Sequence, residues 1–151
     1  MKKLALALLL SLACSSQPES PEDAVRATLA AIEAAAGQRD AGAIGEHLSE
    51  TYRDTDGNDK KQVLGVATLH LMRNKTVYTL SRVVSLELAE PGHAQARVLA
   101  ALAGQPIPDP SALPALRADL YQFDVALREE QPGVWRVSSA DWRPASLADF
   151  Q

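Results

Sequence analysis

The chain has 151 residues, 46% of them hydrophobic and 23% charged, with a formal net charge of −4. That composition is ordinarily globular, and the length suffices for one core and not for two. An acidic balance argues against nucleic acid or direct contact with anionic lipid headgroups as the main partner. The single cysteine, Cys14, excludes an intramolecular disulfide.

The first element is a targeting signal. Lys2-Lys3 supply a positive start, and the apolar run Leu4 to Leu10 is too short to cross a hydrocarbon core that needs about 20 helical residues. The stretch therefore reads as a cleaved export signal and not an anchor helix. Ser11-Leu12-Ala13-Cys14 resembles a lipobox, with Ser11 standing where lipoboxes most often carry Leu. The alternative is an incidental cysteine in a plain signal peptide.

By the resemblance to bacterial lipoproteins, residues 1–13 are removed and Cys14 becomes the lipidated N-terminus, with palmitate among its acyl chains. Several chains on one residue hold a protein to its membrane far more strongly than one, at about 0.8 kcal/mol per buried methylene. Ser15 after the cysteine implies transfer to the outer membrane, facing the periplasm, in a host with two membranes. Removing 13 of the 151 residues leaves 138, and losing Lys2 and Lys3 takes the net charge from −4 to −6.

Residues 14–20 form the lipidated cysteine and a short polar tether containing Pro18. At roughly 3.3 Å per residue it reaches about 20 Å, so the domain rides close to the lipid surface. Ser20-Pro21-Glu22-Asp23 then predicts a helix start: a capping serine, proline at the first helical position, and acids favourable to the positive end of the dipole. Val25, Leu29, Ile32 and Ala36 place one apolar stripe on this helix, and Gly37 is expected to end it. A second, shorter helix is capped by Asp40, turns Ile44 and Leu48 inward and has Tyr52 near its end.

Asp54-Thr55-Asp56-Gly57-Asn58-Asp59 invites comparison with an EF-hand loop, which needs glycine at position 6 and a bidentate Glu at position 12. Counted from Asp54, those positions do not hold these residues, and the segment reads as a turn ending in a helix cap at Asn58 or Asp59. A third helix is expected from Lys60 to about Arg73, with Val63, Ala67 and His70 on one face and Val66 and Leu69 beside them.

The strands follow. Tyr78, Leu80, Val84, Leu86 and Leu88 share one parity of a long strand, and Pro91-Gly92 fits the centre of a type II turn. Ala94, Ala96, Val98, Ala100 and Leu102 give one face of an antiparallel partner, the small alanines leaving room for whatever packs there. Gly104 to Pro114 carries too many prolines for a strand interior and forms a loop. A third strand, about Leu116 to Glu129, alternates cleanly through Tyr121, Phe123, Val125 and Leu127. After Gln131-Pro132-Gly133, a fourth runs from Val134 to about Trp142, where a parity switch between Val137 and Ala140 predicts a bulge near Ser138-Ser139.

Helices segregated from strands predict an α+β fold. The element order, the Ser20-Pro21-Glu22-Asp23 helix start and the final strand Val134 to Trp142 resemble the nuclear transport factor 2-like superfamily, in its SnoaL-like branch. The resemblance covers residues 21–143, leaving 144–151 as a tail, and implies N-terminal helices packed on a curved antiparallel sheet that forms a cone. Two departures stand out. Many members place a short strand between the second and third helices, where this chain has only the acidic turn around Gly57; and the proline-rich loop is long enough to remodel the mouth of the cone.

The resemblance implies a pocket between helix and sheet, used by different members for catalysis, ligand binding or dimerisation. Enzymes of the superfamily place Asp, His or Tyr there, so the candidates are Tyr52, His70, Tyr78, Arg82, Asp119, Tyr121 and Asp141, with no catalytic role assigned to any one. Arg82 and Asp119 fall on apolar parities, and a charge there needs a partner or water. They either line a polar pocket as an ion pair or reach solvent near strand ends. His70 is either a hydrogen-bonded, half-buried histidine or a base, with no carboxylate partner evident. His47 and His93 add nothing to that case, and Ser138-Ser139 lacks the setting of a hydrolase nucleophile.

No ligand spacing supports a metal, and no cofactor is expected. The favoured reading is a noncatalytic envelope lipoprotein, anchored through Cys14, that binds a small apolar ligand or an envelope protein, with a homodimer open. The alternative is a SnoaL-like isomerase, dehydratase or cyclase using Asp119 or Asp141 with a tyrosine.

Overall fold

The computed structural model describes residues 20–151. The expected export signal, Cys14 and the tether through Glu19 lie outside the described residues. Helix α1 (Pro21–Gly37) starts as its sequence predicts: the Ser20 hydroxyl oxygen accepts from the Asp23 amide at 3.1 Å, with Pro21 in the first turn. Gly37 is its last helical residue, and Arg39 takes the left-handed conformation at φ 59°. Helix α2 (Ala41–Glu46) is capped by Asp40, and α3 (Lys60–Met72) by Asp59 with a reciprocal bond to Gln62. The acidic segment is a turn, with Asp54 accepting from the Asn58 amide at 2.8 Å and Gly57 at φ 84°.

Four strands form an antiparallel meander in the order β1 (Tyr78–Glu90), β2 (His93–Ala103), β3 (Asp119–Gln131) and β4 (Val134–Pro144). Glu90 pairs with His93 across Pro91-Gly92, and Gly92 sits at φ 73° as the central position of that turn demands. Between β3 and β4 the register steps from Ala126 opposite Ser139 to Leu127 opposite Val137, leaving Ser138 as the extra residue of the expected bulge. The sheet is curved and unclosed, with the helices packed in its concavity.

The main core fills that concavity, from Val25 on α1 through Leu48 and Tyr52 to Ala96, Val98, Leu127, Trp135 and Val137 on the sheet. A smaller cluster lies on the opposite face: Leu99, Ala101, Leu113 and Phe150, with Leu80 packed against it.

Four expectations are corrected. In β1 the register skips Val84, so Thr79, Ser81 and Val83 face the helices before the bulge and Leu86 after it; Tyr78, Leu80 and Arg82 lie on the outer face. The segment after α2 is not bare turn: the Leu48 region bridges the exposed side of β4, with the Ser49 amide donating to Val137 O at 2.8 Å and the Arg53 amide to Ser138 O at 3.0 Å. The proline-rich loop folds through a 3-10 turn (Pro110–Ala112) into a short helix, α4 (Leu113–Leu116), on the outer face and does not line the cone. The tail belongs to the domain, because Phe150 is buried in the outer cluster and the Ala145 amide donates to Leu120 O at 2.8 Å.

Candidate ligand-binding cavity

The concavity between helices and sheet is not filled to its mouth. A partly open cavity of about 290 Å³ runs between the inward face of α1, the segment from α2 to Tyr52, α3 and the inner face of the sheet. Its walls are mostly aliphatic: Leu29, Ile32 and Ala36 from α1, Ile44 and Leu48, Val63 and Ala67 from α3, and Val98, Ala100, Leu102, Val125 and Ala140 from the strands. The space exists because small side chains, Ala100 and Ala140, stand on the sheet's inner face where larger ones would meet the helices. Phe123, Tyr121 and Trp142 supply its aromatic wall.

Two polar pairs interrupt this lining. On one side the Ser81 hydroxyl donates to Glu33 Oε2 at 2.5 Å. On the other the Tyr121 hydroxyl and His70 Nε2 lie 3.2 Å apart, donor and acceptor being set by the imidazole tautomer. The Tyr121 ring also packs edge-on against His70 at 5.5 Å and Trp142 at 5.4 Å between centroids. Burial first, then the charge of nearby Asp119, holds the Tyr121 phenol above its ordinary value, with Arg73 pulling the other way. At neutral pH Tyr121 is therefore a neutral hydroxyl that can give a hydrogen bond to a ligand or to His70.

Tyr52 lines the same cavity but its hydroxyl is engaged, accepting from the Ala140 amide at 3.2 Å and donating to the Ala140 carbonyl at 3.1 Å. Burial pushes its phenol up to about 12. It is a fixed strut between the Tyr52 segment and β4.

Of the residues singled out by sequence, the structure thus brings together Tyr52, His70 and Tyr121. Tyr78 and Arg82 are exposed on the outer face, and Arg82 donates to the Asp149 carbonyl at 3.0 Å. Asp119 shares the Tyr121 parity but is exposed at the start of β3 and is absent from the cavity wall. The Arg82–Asp119 ion pair therefore does not form. Asp141 points away from the cavity and accepts from the Thr55 amide at 3.1 Å and hydroxyl at 2.5 Å, holding the acidic turn.

The pair that sequence reasoning missed is Glu33–Ser81. Glu33 follows Ile32 and stands four residues after Leu29, on the flank of the apolar stripe, a carboxylate at the edge of an inward face. Ser81 was hidden by the β1 bulge, which reverses the parity read from Val84 and Leu86. Among the described residues no group of three or more His, Cys, Asp or Glu is placed to hold a metal ion. A second, open cleft near α2 is lined by charges that pair with each other, Lys60 with Glu50 at 2.5 Å and Arg136 with Glu130 at 3.1 Å.

No family model matches the chain, and no curated protein matches it. Solved structures do. A member of the NTF2-like family from Streptomyces avermitilis, provisionally named a dehydratase, aligns with a TM-score of 0.65 at 15% identity, over 85% of this chain and 99% of that one. A ketosteroid isomerase-like protein from Erwinia carotovora atroseptica aligns at 0.60 and 14%, over 82% and 95%. An NTF2-like protein of unknown function from Shewanella oneidensis aligns at 0.58 and 12%, over 82% and 98%. At such identities the likeness concerns the fold alone, and the chain has the NTF2-like cone fold.

Proposed function

We propose that this chain is an envelope lipoprotein, held to its membrane through acylated Cys14, whose NTF2-like domain binds one small apolar ligand without transforming it. The observation that carries the binding role is the cavity: about 290 Å³, walled mostly by aliphatic and aromatic side chains, with two hydrogen-bonded polar pairs set into the wall. Pockets that hold small molecules have this character, an apolar body with a few polar groups that set orientation. The Glu33–Ser81 pair suits a ligand hydroxyl or amine, and Tyr121–His70 a carbonyl or hydroxyl at the other side.

A second reading is favoured by the same groups. Among the described residues Glu33, His70, Tyr121 and Tyr52 are the acid-base side chains of this wall, and a dehydratase or isomerase would use one of the first three on a proton next to a carbonyl, since the Tyr52 hydroxyl is engaged with Ala140. The neighbours with dehydratase and isomerase-like names keep this reading open. Binding is preferred because each group is already held by a partner within the wall.

Cys14→Ala tests the anchor, and extraction of the membrane-derived protein tests the ligand. The substitution is expected to move the protein from the membrane to the soluble fraction, and an unchanged membrane fraction would contradict the anchor. Denaturing the purified protein should release one apolar molecule in near-stoichiometric amount, chemically unchanged after long incubation. Its conversion to a dehydrated or isomerised product would replace the binding reading with the enzymatic one.

A further inference from the structure

Helix α3 is apolar on two sides. Val63, Ala67 and Leu71 face the domain, yet Val66, Leu69 and Met72 are exposed to 52%, 64% and 70%. At about 100° per residue these three, with Lys61, Gln62 and Arg73, fall in one arc of roughly 140°. The arc holds only apolar, amide and basic side chains. An ordinary solvent-facing helix side would carry acids among its polar residues, and this one has none.

The charge around it is segregated in the same sense. Between Lys60 and Leu86 the chain carries Lys60, Lys61, Arg73, Lys75 and Arg82 and no acid, within a molecule of net charge −4. Lys60 is engaged with Glu50, and Arg82 lies on the outer sheet face, so Lys61, Arg73 and Lys75 remain as exposed cations at the two ends of the apolar stripe. Asp119 and Arg73 both act on the Tyr121 phenol near this end, in opposite senses. Trp142, 54% exposed, and Val66 both also line the cavity mouth.

We propose that the exposed face of α3 docks on an anionic lipid bilayer, with Val66, Leu69 and Met72 entering the interface and Lys61, Arg73 and Lys75 meeting phosphate headgroups. An apolar stripe with basic residues at its ends, and an aromatic beside it, is the pattern of a helix lying in a membrane interface. The overall negative charge does not oppose this, because screening confines each interaction to about 10 Å and the basic segment faces the lipid. Docked in this way, the mouth at Val66 and Trp142 opens toward the acyl chains, and an apolar ligand passes between bilayer and cavity without crossing water. This inference stands on the domain alone and does not need Cys14 to be acylated.

The test removes the acyl anchor and keeps the domain. All described elements and both core clusters lie within residues 20–151, so a chain from residue 14 carrying Cys14→Ser retains the whole fold. Its flotation is measured with vesicles of pure phosphatidylcholine and of equimolar phosphatidylcholine and phosphatidylglycerol. It should float with the anionic vesicles and much less with the neutral ones. Leu69→Asp should weaken that partition at least tenfold, and Lys61→Gln and Arg73→Gln by about fivefold each, with near-ultraviolet circular dichroism unchanged. Leu88→Asp, an exposed apolar residue on β1 away from α3, should leave it unaltered. Failure to float with anionic vesicles, flotation indifferent to Leu69→Asp, or a Leu69-dependent dimer in sedimentation velocity without vesicle binding would each overturn the proposal.

Discussion

Tyr52 shows how one side chain can join two parts of the molecule. Its ring is buried and its hydroxyl satisfies both backbone groups of Ala140, so Tyr52→Phe should cost about 1–3 kcal/mol in urea unfolding at neutral pH. The same burial makes the contribution pH-dependent. A phenol raised from 10.0 to about 12 in the folded chain holds its proton where the unfolded chain has lost it. Its stabilisation is complete below pH 10 and disappears as pH rises toward 12, a loss of about 2–3 kcal/mol. Unfolding measured across that window should therefore bring wild type and Tyr52→Phe together, and a constant difference between them would contradict the assignment.

At this scale the sequence revealed which residues could reach the cavity only where the strand phase was intact. Tyr121 and Phe123 stand on an unbroken alternation, and His70 on a helix whose cap at Asp59 was visible, so their inward direction was legible. Arg82 and Ser81 lie before an extra residue at Val84, and alternation counted back from Leu86 inverts them. Nothing in the composition of Arg82-Val83-Val84-Ser85 marks that bulge, whereas the switch from Val137 to Ala140 did mark the one at Ser138.

Among the elements, the ends of α1 and α3 are tied by a residue that no pattern announces. Arg39 sits at φ 59° and donates from Nε to Leu71 O at 3.0 Å and from a terminal nitrogen to Lys75 O at 2.9 Å, satisfying carbonyls at the end of α3. A non-glycine residue in that conformation costs about 1–2 kcal/mol, which the two charge-assisted bonds offset. Arg39→Ala keeps the strained backbone and loses the bonds, and should destabilise the domain by about 1–2 kcal/mol. Arg39→Gly loses the same bonds but relieves the backbone, and should be the milder change by about 1 kcal/mol. Equal losses for the two, measured by denaturant midpoint, would mean that the guanidinium bonds rather than the backbone account for the whole effect.

The helix starts were legible because each carries its own chemistry: Ser20, Asp40 and Asp59 all cap the helices that follow them. Pairings between distant segments were not, since the bridge from the Leu48 region to Val137 joins residues about 90 positions apart and leaves no local signature. The proline-rich loop is a third case. Its prolines exclude strand, yet only the outer cluster with Leu99 and Ala101 determines that Leu113 turns back over the sheet.

For the molecule as a whole, the loop and the tail change what the sheet can do. Leu113 and Phe150 occupy one end of the outer face, and Arg82 fixes the tail by its bond to Asp149 O. That end of the sheet is occupied by the chain itself, while the cavity opens on the other side, toward α3 and Trp142. The proposed ligand role, the proposed anchor at Cys14 and the proposed lipid-facing α3 would together describe one arrangement, with the mouth of the cone at the membrane.

If the cavity holds a small apolar molecule, as proposed, Ala100→Phe displaces it. Ala100 stands on the inner wall between Val98 and Leu102 along β2 and directly across from Ser81 and Tyr121, so a phenyl ring there occupies the ligand space between the two polar pairs. Native mass spectrometry of the two proteins, purified side by side, should show a mass in excess of the chain for wild type and the bare chain for Ala100→Phe, both folded by circular dichroism. Equal occupancy in the two proteins, or none in either, would contradict the account.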